Sequence, residues 1–248
     1  MPTRDVALAW QALFTPKRGN TPEEYEDAFA AEPALGRFAV ADGASECSFA
    51  GLWARLLVQH VVGASNGLEW NDEEWLQALR QHWSDEVDMR PLPWYAETKR
   101  EQGAFATLLL LTLQPPSAGK TGHWHAVTVG DSCLFRVREG RLLAAFPLEA
   151  SSEFGRNPEL VGSRSTAPQV TPQQAHGECR SGEQYLLMTD ALARWFLRAS
   201  EEGNRPWEAV AAVCTESSPD AAFTEWVEEL RDQGGLYNDD VTLIRIRV

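Results

Sequence analysis

Stretches with helical periodicity come in batches along this 248-residue chain, and that ordering constrains the fold more than any single motif. "VALAWQALF" and "FAVAD" read as strands on either side of a polar loop, "TPKRGNTPEEYEDAFAAEPALG". Two helices are predicted next. The first covers about 48–64, with apolar residues at helical spacing and Ser45 or Ser48 available as its cap. The second covers about 72–87, with Asn71 as cap and acids at the positive helix end. "AFATLLLLTL", "HWHAVTVGDSCLFRVREG" and "RLLAAFPL" are then rich in β-formers, and "REGR" marks a turn between two of them. Residues 149–182, rich in Ser, Pro, Gly and Gln, read as a long loop with little regular structure. "QYLLMTD" is a strand, followed by the helices "ALARWFLRASEEG", "PWEAVAAVCTES" and "FTEWVEELRDQGG" and a last strand, "DDVTLIRIRV". A doubly wound parallel sheet needs a helix between successive strands, so this order points instead to an α+β fold with mainly antiparallel sheet.

Composition narrows the function classes. Hydrophobic residues make up 44% and charged residues 23%, which fits a globular chain, and the length suits a single domain over 1–248. A net charge of −14, with no basic cluster longer than that in "TKRE", argues against nucleic acid and anionic membrane surfaces. No apolar run approaches the roughly 20 residues that span a bilayer. The start, "MPTRDVALAWQALF", lacks the apolar core of a secretory signal, and the four cysteines contain no C-x-x-C. A cytoplasmic protein with reduced thiols is expected.

Four strand-like runs carry aspartate at an end: "FAVADG" (Asp42), "AVTVGDS" (Asp131), "YLLMTDA" (Asp190) and "YNDDVTLI" (Asp239 and Asp240). Any one of these is an ordinary turn or helix cap, and Asp190 could simply cap the helix behind it. If the strands lie side by side with suitable directions, the four ends converge. Clustered carboxylates repel, and a hard divalent cation such as Mg²⁺ or Mn²⁺ relieves them through all-oxygen ligation.

"VADGAS…G", "VTVGDS", "LLMTDAL" and "NDDVTLI", in this order, resemble the metal-dependent protein phosphatases of the PP2C (PPM) family. "EEYEDAFA" upstream is similar to that family's first acidic motif, and "EFGRNPELVGS" to a bacterial branch of it. The resemblance implies a central sandwich of two antiparallel β-sheets flanked by pairs of α-helices, with a two-metal site at one end. It implies that Asp42 bridges two Mg²⁺ or Mn²⁺ ions, that the Gly43 carbonyl holds one of them, and that Asp190 and Asp239 ligate the other. Glu26 then reaches the first ion, Asp27 orients a water beside it, and Asp131 helps form a third, weaker ion site. The activity implied is hydrolysis of phosphoserine and phosphothreonine in a phosphoprotein by a metal-bridging hydroxide, opposite a Ser/Thr kinase. The alternative is a catalytically weak PP2C-like domain that acts as a partner-binding module.

Three positions depart from the family pattern. The phosphate-binding arginine falls to Arg18, nine residues before Asp27, with Lys17 beside it. The glycine after Asp190 is Ala191, and the acidic residue four positions on from Asp190 is Arg194. That arginine removes a ligand from a third ion site.

Overall fold

The computed structural model describes residues 8–45, 47, 49–64, 73–89, 102–117, 120–155 and 157–248. Its strands are β1 (Ala9–Thr15), β2 (Ala28–Glu32), β3 (Arg37–Ala41), β4 (Phe105–Ala106), β5 (Leu108–Gln114), β6 (Gly122–Val129), β7 (Cys133–Arg138), β8 (Arg141–Phe146), β9 (Val161–Gly162), β10 (Gln173–Cys179), β11 (Gln184–Met188) and β12 (Val241–Arg247). The α-helices among the described residues are α1 (Ala50–Gly63), α2 (Glu73–Asp88), α3 (Asp190–Glu201), α4 (Pro206–Val213) and α5 (Pro219–Asp232). One five-stranded sheet has the order β1-β12-β11-β7-β8 and a second the order β10-β6-β5-β3-β2, while β4 and β9 form a small ribbon. All pairings are antiparallel. The α+β sandwich expected from the sequence is the fold observed.

Apolar side chains fill three layers. Phe38, Leu109, Leu111, Tyr185, Leu187 and Ile244 lie between the two sheets. Phe135, Leu186 and Met188 face the other way, against Phe196 of α3 and Phe223 and Val227 of α5. Leu108 and Leu110 lie under Trp53, Leu57 and Val61 of α1, with Trp83 of α2 in the same layer. Both faces of the central strands are therefore covered. This explains why "LLLL" at 108–111 shows no polar alternation: its odd and even residues enter different cores. Burying each such side chain contributes roughly 1.5–3 kcal/mol, and truncating Ile244 to Ala in the middle layer is expected to cost about 2–5 kcal/mol.

Three strands lie where a loop was expected, the two-residue β9 among them. β2 falls inside the polar segment before "FAVAD"; its "AFAAE" is rich in alanine, a weak β-former, and pairing with β3 makes it a strand. β10 falls inside 149–182; "QQAHGEC" is polar because it is a sheet edge with mostly exposed side chains, so no apolar pattern marks it. The residue capping α1 is Phe49, in the left-handed region at φ 63°. Ser48 and Asn71 lie outside the described residues.

Topology brings the carboxylates together. β2 and β3 are antiparallel with Ala28 opposite Ala41, which places Glu26 and Asp27 beside the exit of β3 and Asp42. β3 and β6 each run antiparallel to β5 and hence parallel to one another, so Asp42 and Asp131 leave the second sheet at the same end. In the first sheet β11 pairs antiparallel with β12, Met188 opposite Leu243, and the exit to Asp190 adjoins the entry from Asp239.

Candidate active site

Two glycines allow the approach. A Cβ on Gly43 would sit 2.7 Å from the Glu26 carbonyl oxygen and 2.9 Å from the Ala50 carbonyl carbon, so only glycine lets the chain after Asp42 pass between them. Gly130 has φ 102°, and a Cβ there would meet Thr107 Cγ2 at 2.7 Å; this left-handed residue turns the chain from β6 into Asp131. Asp42, Asp131 and Asp190 line one open cleft of about 470 Å³, together with Thr107, Arg194 and Tyr237.

Each acid has its own hydrogen-bond partners. The Asp42 amide donates to Thr107 Oγ1 at 2.9 Å, the Thr107 amide donates to the Asp42 carbonyl at 2.8 Å, and Thr107 Oγ1 lies 2.8 Å from Ser132 Oγ. Asp27 is buried, and its Oδ2 accepts the hydroxyls of Thr189 at 2.9 Å and Thr242 at 2.6 Å. Tyr25 in turn bonds Thr242. Asp190 accepts the Ala191 amide at 2.6 Å and the hydroxyl of Tyr237. Asp239 accepts the Asp240 amide at 2.9 Å. Asp240 accepts the amides of Lys17 and Glu26, each at 2.7 Å, and so ties the chain after β1 to the chain before β2.

These carboxyls share an unbalanced field. Burial, then the charges of Asp27, Asp190, Asp239 and Asp131, hold Asp42 well above the ordinary carboxylate range. Asp27 is raised in the same way by burial and by the charges of Asp240 and Asp190, against the hydroxyls that stabilise its anion. Burial, with Asp131 and Asp239 nearby, pushes Asp190 up to about 7 despite its bond from Tyr237. Asp131 and Asp239 are raised chiefly by burial, as is Glu26, which Ser45 and Lys17 partly offset. The Lys17 ammonium stands 3.8 Å from Glu26 and 3.0 Å from Ser45 Oγ.

Such a field is what an external cation relieves. The side chains gathered here offer carboxylate oxygens and no thiol, a chemistry that would fit Mg²⁺ or Mn²⁺ and not a thiophilic ion. Among the described residues, no three acid, imidazole or thiol side chains already surround one point; Asp27 and Asp190 accept hydroxyl and amide hydrogen bonds.

The structure thus gathers Glu26, Asp27, Asp42, Gly43, Asp131, Asp190 and Asp239 at one end of the sandwich. It does not bring Arg18 into that group. The Arg18 guanidinium donates from Nε to Glu228 at 2.5 Å and from a terminal nitrogen to Asp232 at 2.7 Å, both on α5. Its backbone faces Asn238 instead, at 2.7 Å.

Sequence reasoning passed over the hydroxyls that hold these acids: Thr107, Thr189, Thr242 and Tyr237. A signal was present, since Thr189 immediately precedes Asp190 and Tyr237 lies two residues before Asp239.

Residues 20–230 match the model of the family described as Protein phosphatase 2C. Among solved structures, the photosystem II phosphatase PBCP superimposes with a TM-score of 0.63 at 17% identity, over 97% of this chain and 98% of that one. The catalytic domain of the serine threonine protein phosphatase PstP, in complex with two manganese ions, gives 0.58 at 19% identity, over 97% of each chain. The phosphatase MsPP from Mycobacterium smegmatis, in complex with cacodylate, gives 0.59 at 19% identity, over 98% of each chain. A sequence comparison with curated proteins finds no match. No helix among the described residues is long and apolar enough to cross a membrane.

Proposed function

Because the chain belongs to the protein phosphatase 2C family, we propose that it hydrolyses phosphoserine and phosphothreonine in proteins with the help of Mg²⁺ or Mn²⁺ held at the carboxylate end of the sandwich. The observation that carries this reading is the mutual field of Asp42, Asp131, Asp190 and Asp239, four acids from separate strand ends whose carboxyls are all raised by burial, with Lys17 and Arg231 offsetting only part of that at Asp239.

Asp42, the Gly43 carbonyl, Asp190 and Asp239 are the groups that would hold two ions, with Glu26 at the margin and Asp131 beside a third, weaker position. When bound, such cations provide Lewis-acid stabilisation of a phosphoryl group and make a nucleophile available from water at neutral pH. The remaining work belongs to the chain's own residues. Thr107 fixes the backbone of Asp42 through paired hydrogen bonds and so sets the direction of that carboxylate. Tyr237 and the Ala191 amide hold Asp190. Asp27 keeps its Oδ2 on Thr189 and Thr242, which leaves Oδ1 to orient a neighbouring water or ligand. The same reading makes the working unit a single domain and its substrates the products of a serine/threonine kinase.

Release of phosphate from a phosphothreonine peptide, titrated with Mn²⁺ and with Mg²⁺, tests the proposal. Asp42→Ala and Asp239→Ala are each expected to lower turnover by about 10³-fold, a loss of roughly 4 kcal/mol of charge stabilisation in the transition state, with circular dichroism unchanged. Wild-type rates in either variant, or full activity after exhaustive chelation, would overturn it.

A further inference from the structure

Among the described residues, the cleft beside Asp42 is lined by three carboxylates and by one basic side chain, Arg194. α3 begins at Asp190, so Arg194 lies four residues on and one turn along the same helix face, where side chains point into a common space. The two do not pair. The Arg194 guanidinium carbon lies over Tyr237, 5.8 Å from the ring centroid, and Tyr237 gives its hydroxyl to Asp190. Tyr237 thus contacts both the cation and the anion. A guanidinium over an aromatic ring that no acceptor of the chain takes keeps its N–H donors for another partner. Arg194 is exposed, and among the described residues it has no carboxylate or carbonyl partner. The guanidinium of Arg18, by contrast, is already taken by Glu228 and Asp232.

We propose that Arg194 is the phosphoryl-binding residue of this site: its planar fork, over the Tyr237 ring, takes two non-bridging oxygens of the substrate's phosphate. A guanidinium matches phosphate through two parallel N–H···O bonds, which a lysine, as a point charge, cannot reproduce. The arrangement also places a permanent positive charge on the rim of an acidic cleft that would otherwise repel a phosphate dianion. The inference rests on the phosphatase reading, and its test separates the two.

Arg194→Gln and Arg194→Lys are compared with the wild type in three measurements. These are steady-state hydrolysis of p-nitrophenyl phosphate with Mn²⁺, hydrolysis of phosphothreonine peptides with neutral or acidic flanks, and calorimetric binding of inorganic phosphate to the Mg²⁺-loaded protein. Loss of one charge-assisted pair is expected to raise KM for every substrate and to weaken phosphate binding by about tenfold in Arg194→Gln. The change in kcat should be smaller, with partial recovery in Arg194→Lys. KM and phosphate affinity both unchanged in Arg194→Gln would overturn the assignment while leaving the phosphatase intact. An effect confined to acidic-flanked peptides would also overturn it, since the guanidinium would then read a neighbouring carboxylate. If the wild type hydrolyses none of these esters, the phosphatase reading falls, and the difference in phosphate binding still decides the role of Arg194.

Discussion

β11 runs between two carboxylates with opposite fates. At its start Glu183 is fully buried and accepts Arg136 Nε at 2.9 Å, an Arg136 terminal nitrogen at 2.6 Å and the Tyr185 hydroxyl at 2.7 Å. Burial alone would raise its carboxyl, but Arg136 and Tyr185 outweigh that and hold it below the usual range. Beyond the other end of the same strand, Asp190 is pushed up by burial and by Asp131 and Asp239, and its hydrogen-bond donors are neutral groups. One end of the sandwich balances its buried charge from within the chain. The other balances its charge only in part, through Lys17 at Glu26 and Lys17 and Arg231 at Asp239, and that difference separates an ion pair that serves the fold from a charge cluster suited to chemistry.

The contrast yields substitutions of opposite sign. Glu183→Gln strands a mostly buried guanidinium and is expected to destabilise the protein by about 3 kcal/mol, the low end for a broken buried pair because Arg136 retains some access to water; urea denaturation midpoints measure it. Asp42→Asn removes a charge from the crowded end and is expected to stabilise the metal-free protein by about 1 kcal/mol while abolishing phosphate release. A loss of stability there would mean that the Asp42 carboxylate already has a partner, and the contrast would fail.

The smallest effect is a pH profile of the metal-free protein, read by thermal unfolding. Asp190 has a raised folded pKa of about 7, so the folded state binds more protons than the unfolded one between about pH 4 and 7, and stability falls as pH rises across that window. Glu183 has a depressed folded pKa, so its contribution is present above the ordinary glutamate value and is lost as pH falls below it. A maximum is expected at about pH 4, where the two windows meet. Adding Mn²⁺ should flatten the neutral limb and leave the acid limb unchanged.

What was readable in the chain follows from how local each signal is. The aspartates at strand exits could be found because an apolar run and the acid that ends it are adjacent, and strand direction then brings the ends together. β10 escaped because an edge strand with solvated faces has no apolar period, and β2 because alanine carries little strand preference. The partners of Arg18 escaped for a different reason. Glu228 and Asp232 lie more than two hundred residues away, on a helix whose docking no local pattern reveals. Tyr237 and Thr242 were hidden in plain sight, since a hydroxyl beside an acid is unremarkable until burial demands a donor for that acid.

The candidate site is carried half by each sheet, with Asp27, Asp42 and Asp131 on one and Asp190 and Asp239 on the other. Between them lies a layer of apolar side chains, which resists separation but has no directional bonds to oppose sliding. Asp27 acts as the rivet. Rooted at the head of β2, it is bolted to Thr189 and Thr242 of the opposing sheet, and it fixes the gap across which the two halves face one another. A single oxygen atom committed to the opposing sheet can therefore set the calibre of the whole mouth.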